Sequence, residues 1–163
     1  MAILPILQLG HPILRQPAIE VRRFDRTLGH LLDDMIDTMR DAPGVGLAAN
    51  QIGRSESVCV IEIEDRLMEL VNPVLVRVDG TQTDLEGCLS LHGFYGETTR
   101  AEHAVVTARD RRGRPVRVSG RGFLARALQH ELDHLDGKLY VDRLDSLDDL
   151  QRVGDDGEIE EPA

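Results

Sequence analysis

A chain of 163 residues with 41% hydrophobic and 29% charged residues can build one ordinary core, filled by Leu, Val and Ile because aromatics reach only 3% and Trp is absent. The formal net charge of −10 is concentrated at the C-terminal end, where nine acidic residues from Asp142 onward face two arginines, and a tail of that sign excludes a polyanion as the primary ligand, hence a direct nucleic-acid function. Two cysteines cannot frame a disulfide scaffold, no run has the length of a membrane span, and the apolar start is broken by Pro5 and Pro12 without the basic and small-residue features of a signal peptide, so a cytoplasmic monomer off the membrane is expected.

The segment "FDRTLGHLLDDMIDTMRDAPG" sets Leu28, Leu31, Leu32, Met35, Ile36 and Met39 at three- and four-residue intervals, which predicts an amphipathic helix ended by Pro43 and Gly44. The period then changes. "SVCVIEIE", "MELVNPVLVRVDG", "AVVTARDRRG" and "PVRVSG" are β-rich runs, with "RDRRGRP" as a hairpin connection. Cys59, inside the first of these runs, reads as a small buried hydrophobe. From about Gly122 to His134, Phe123, Leu124, Ala127, Leu128, Leu132 and Leu135 return at helical spacing, and Gly137 is placed to cap the end. Helix, strands and helix without βαβ alternation indicate an α+β fold, with mixed or antiparallel strands packed around a central helix. Residues 146–163 hold seven acidic groups and one arginine, too little apolar surface to pack, and are expected to form a disordered tail behind a catalytic domain of residues 1–145.

The second helix carries "QHELDH". Residues four apart share a helical face, so His130 and His134 can aim two imidazoles at one point with Glu131 beside them, the H-E-x-x-H arrangement of two metal ligands and a base. Isolated, such a pair reads as two satisfied histidines. A catalytic metal needs a third ligand: Asp136 points about 200° away from His134, and Asp142 and Asp145 lie past the cap. Upstream, "LEGCLSLHG" offers Cys88, and a thiolate with two imidazoles leaves a fourth position open for water.

The order and spacing of "GVGLAANQ" at 44–51, "EGCLS" at 86–90 and "QHELDH" at 129–134 resemble the peptide deformylase family, over residues 3 to about 145. The resemblance implies hydrolysis of the N-formyl group from the formyl-methionine of newly made polypeptides. It implies a divalent metal on Cys88, His130 and His134, with iron(II) favoured and zinc, nickel or cobalt compatible with the donors. It implies Glu131 as general base and acid, and the Gln51 amide and Leu89 backbone N–H as oxyanion donors. It also implies Gly46 as a close approach for the peptide backbone, Arg100 near the substrate entrance, and Val45, Phe123 and Ala127 at the methionine pocket. Arg100 reads equally as solvated surface charge, and the three apolar residues equally as core. Asp133 reads as a structural salt-bridge partner. After "EGCLS" this chain has Leu91 and His92 where the family often has an apolar residue followed by Pro; His92 is surplus to a ligand set already complete. The acidic terminus also lacks the basic helix linked in some members to ribosome contact. A metallopeptidase that cuts internal bonds, or a non-enzymatic Cys-His₂ metal module, are the competing readings.

Overall fold

The computed structural model describes residues 2–153 and 159–160. Helix α1 (Arg26–Asp41) starts at Asp25, whose carboxylate accepts the Leu28 N–H at 3.1 Å, and stops just before Pro43. Its six predicted apolar residues are all buried, as the spacing requires. There follow β1 (Gly46–Ala48), a 3₁₀ turn at Ala49–Ile52, β2 (Val58–Ile63), β3 (Arg66–Asp79), β4 (Gln82–Cys88), β5 (Leu91–Arg100), β6 (His103–Arg109) and β7 (Pro115–Arg121). Helix α2 (Gly122–Leu135) comes next, and β8 (Gln151–Val153) and β9 (Ile159–Glu160) close the described chain.

Two sheets result, one ordered β1-β2-β3-β6-β7 and one ordered β4-β5-β8-β9, with every pairing between these strands antiparallel. The apolar run of β2 is explained by its position between two layers. Val58 and Val60 pack into the core shared with α1, while Cys59 and Ile61 face the core shared with α2. Both faces are therefore dry, and alternation with polar residues disappears. Cys59 is fully buried, as expected. The α+β arrangement and the 109–115 hairpin follow the sequence reading. No helix among the described residues is long and apolar enough to cross a membrane.

Strands β4 and β5 were not foreseen, because "TQTDLEGC" and "LHGFYGETTR" show neither alternation nor a β-branched run. A second difference lies at the end of the chain. Leu150 packs against the small cluster of Leu139, Tyr140 and Val141, and β8 pairs with β5 through Phe94–Arg152 and Tyr95–Gln151. The expected disordered tail is therefore partly strand. Main-chain groups on the β5 edge supply the pairing, so few apolar side chains are required. Residues 154–158 and 161–163 of that tail lie outside the described residues.

Candidate active site and metal centre

Helix α2 is buried around most of its circumference: Ala125, Arg126, Leu128, Gln129, His130, Glu131 and His134 are all buried. It rests on β7, β6, β1 and β2. Its start is fixed by the Gly122 N–H donating to Glu102 O at 2.9 Å, with Gly122 at φ +57°. Gln129 then ties the helix to the loop after β5, donating to Ala101 O and accepting the Ala101 N–H, both at 3.0 Å. The helix ends with Gly137 at φ +77°, donating to His134 O at 3.0 Å, the left-handed cap anticipated for it. Asn50 Nδ2 donates to the same carbonyl at 2.6 Å, so the end of the helix is pinned to the "GVGLAANQ" segment.

Cys88 closes β4, at a register shift relative to β5. Its Sγ lies 3.3 Å from His134 Nε2, and His134 Nε2 lies 3.1 Å from His130 Nε2. One ligand atom from each residue falls within 4.8 Å of the others, the one such cluster found among the described residues. Around the sulfur, the Ser90 N–H donates at 3.4 Å and Gln51 Nε2 at 3.6 Å. Three soft or borderline donors converging at this spacing, two of them imidazole Nε2 atoms facing one another, fit a divalent transition metal. His92 is exposed and stands outside the cluster.

The orientation of His130 is set by Glu86, a residue given no role from sequence. Its Oε2 lies 2.5 Å from His130 Nδ1. A carboxylate only accepts, so Nδ1 carries the proton and Nε2 is left as the ligand atom. Glu86 also accepts from Arg100 Nε and Nη2 at 2.7 and 2.6 Å, from Arg126 Nη1 at 2.7 Å and from Thr98 Oγ1 at 3.0 Å. Burial works against its charge, but the bonds and charges of Arg100 and His130 outweigh that and hold the carboxyl far below the usual range. For His130, burial disfavours the cation, yet Glu131, Cys88 and Glu86 together raise its pKa; burial and the neighbouring His130 depress that of His134. Tyr140 stacks beside the His130 ring at a centroid distance of 6.2 Å.

Glu131 lies with Oε2 4.0 Å from His130 Nε2, and burial pushes its carboxyl up to about 7. The space it occupies is made by Gly46: a Cβ there would stand 2.5 Å from Glu131 Oε2. That glycine leaves room for the Glu131 carboxylate, whereas the sequence reading gives it to the substrate backbone. Gln51 is fully buried, its Oε1 accepting the Ala48 N–H at 2.9 Å and its Nε2 donating to Ser90 Oγ at 3.0 Å. Leu89 follows Cys88 directly, and its side chain packs against Gly44, where a Cβ would meet Leu89 Cδ1 at 2.7 Å. The three sequence stretches therefore meet at one place.

Arg100 is not a solvated charge; it is buried, pairing with Glu86 and, at 3.0 Å, with Asp133. Asp133 has the structural role expected of it, since it also pairs with Arg143 at 2.9 Å. Ala127 belongs to the core between α2 and the first sheet, whereas Val45 and Phe123 are exposed at 41% and 56%.

Comparison with known proteins agrees with this geometry. The family described as polypeptide deformylase matches residues 3–150. A peptide deformylase of Heliobacterium modesticaldum is 49% identical over 146 residues, covering 90% of this chain and 97% of its own length. Peptide deformylase 1 of Bacillus subtilis is 47% identical, covering 88% and 91%. Among solved structures, a peptide deformylase from Legionella pneumophila superimposes with a TM-score of 0.87 at 48% identity, covering 90% of this chain and 88% of its own. One from Synechococcus elongatus in complex with actinonin gives 0.86 at 42% identity, covering 88% and 80%. On sequence and on fold, the chain belongs to the peptide deformylase family.

Proposed function

We propose that this enzyme hydrolyses the N-formyl group from the formyl-methionine of newly made polypeptides, releasing formate. The observation that carries this is the placing of the buried Glu131 carboxylate beside three convergent donors, with the Gln51 amide against the cysteine ligand. Cys88, His130 and His134 would hold one divalent ion, which when bound lowers the pKa of a water and polarises the formyl carbonyl. Glu131, with its raised pKa, takes a proton from the attacking water and returns it to the departing amine nitrogen. The Gln51 side chain and the Leu89 backbone N–H donate to the oxyanion as it develops, each contributing roughly 10²–10³ in rate. Glu86 holds the His130 ring so that its Nε2 faces the other donors.

Iron(II) is the metal we assign on family resemblance; zinc, nickel and cobalt suit the same donors. Val45 and Phe123 supply exposed apolar contact for the methionine side chain at the mouth, with Ala127 behind them in the core. Substrates of this class are made in the cytoplasm, which is where the enzyme would work. The test is formate release from a short formyl-Met peptide set against an unformylated peptide of the same sequence. Formate appears from the first and the second stays intact; cleavage of internal bonds in the second would move the protein to the metallopeptidases.

A further inference from the structure

Every residue from Val74 to Gly80 is exposed, although most of them belong to a strand. The reason is topological. β2 ends its pairing with β3 at Val58–Val71, while β6 continues alongside β3 as far as Asp79–His103. Beyond Val71, β3 therefore has a strand on one side only among the described residues. The free edge carries Val74, Leu75, Val76 and Val78 at 41–55% exposure, and none of them belongs to the site above. An apolar strand edge of this kind is a template for pairing with another chain.

In place of the monomer expected from the sequence, we propose that two copies of this chain associate through this edge, antiparallel about a two-fold axis at Val78, so that their five-stranded sheets join into one. The register follows from charge and from a bulge. The β3–β6 pairing shifts between Leu75 and Arg77, which makes Val76 the extra residue and leaves Arg77–Asp79 as the regular stretch opposite Val105–His103. A two-fold contact is self-complementary, so an axis at Arg77 sets arginine against arginine and one at Asp79 sets aspartate against aspartate. The axis at Val78 sets Arg77 opposite Asp79 of the partner copy, twice.

Arg77 and Asp79 hold each other at 2.8 Å within one chain, with 66% and 48% of their side-chain surface open, and His103 also touches Asp79 at 3.3 Å. Exchanging that pair for one between copies strands no charge. The bulged Val76 then faces Gly80, which has no side chain to obstruct it. The contact is at the small end of protein interfaces, so a rapidly exchanging, micromolar dimer is expected.

Sedimentation of the full chain from about 1 to about 200 µM, the range in which small interfaces associate, reads the equilibrium directly. A monomer–dimer equilibrium is expected. Arg77→Asp and Asp79→Arg should each weaken it by about tenfold, by placing like charges opposite one another, and the double exchange should restore it to within a few-fold. Val78→Lys should abolish it. Thermal melting shows that each variant is folded. A wild-type chain that stays monomeric throughout overturns the proposal, as does a dimer indifferent to Val78→Lys or a double exchange that fails to restore association.

Discussion

Gly46 and Glu131 share one space: the Cβ that Gly46 lacks would stand 2.5 Å from Glu131 Oε2 and 2.9 Å from its Cδ. Gly46→Ala must therefore displace the carboxylate. The displaced atoms are the end of a side chain, so the fold survives with a melting temperature close to that of the parent. A general base moved by about 1 Å loses on the order of 10² in rate. The expected variant keeps its metal and its substrate affinity while kcat falls steeply. Metal analysis beside steady-state kinetics checks this, and an unchanged kcat would show that Glu131 needs no such seat.

Cys88→Ala and Glu131→Gln separate binding from proton transfer. The first removes one of three protein ligands, and the purified protein should retain far less than one metal per chain. The second keeps all three donors and should carry a full complement of metal, with turnover lower by at least ~10². If the two variants cannot be told apart by metal content, the ligand and the base have been misassigned.

Glu86→Gln tests the residue behind His130. The amide can still meet the imidazole but leaves Arg126 buried without its counter-charge and Arg100 with Asp133 alone. Breaking a buried ion pair on one side costs about 3–5 kcal/mol, and loss of such an outer partner lowers metal affinity by roughly 10–100-fold. Chemical denaturation and competition with a chelator measure the two effects independently. Parental stability would mean that the arginines find other partners.

Leu150→Ala should lower the melting temperature by a few degrees, because it uncovers part of the cluster formed by Leu139, Tyr140 and Val141 and removes about 1 kcal/mol of burial. Deleting residues 146–163 should cost more, since β8 leaves the edge of β5 as well. In both proteins kcat/KM on a short formyl-Met peptide should stay within a few-fold of the parent. Loss of peptide activity on deletion would extend the catalytic unit past Asp145.

The histidine pair was legible because helical spacing alone puts His130 and His134 on one face, and the helices and β2 were legible through their apolar periods. Cys88 was reached by asking where a third ligand could lie, while Gln51 and Leu89 entered through resemblance, since their role depends on segments brought together from distant parts of the chain. Glu86 was invisible for the same reason: its partners Arg100, Arg126 and His130 lie 14, 40 and 44 residues away. Those partners also explain why β4 and β5 were missed. These strands are joined by buried Glu86, Thr98 and Arg100 where a β pattern expects Val or Ile. Arg100 misled in the opposite direction, because a lone arginine in sequence carries no mark of the carboxylates that bury it.

Cys88 belongs to the sheet of β4 and β5, while His130 and His134 ride on a helix seated against the other sheet, 46 residues separating the cysteine from His134. An ion shared by them is a removable cross-link between two halves of the molecule. The grip it exerts scales with free metal concentration, since a ligand bound only by the folded chain stabilises it by mass action. Chelation should then loosen the hairpin of residues 82–100 before the helices, visible as faster amide exchange there. Depletion of the ion would in this way mark the protein for proteolysis as well as silence it, with one event controlling both catalysis and lifetime.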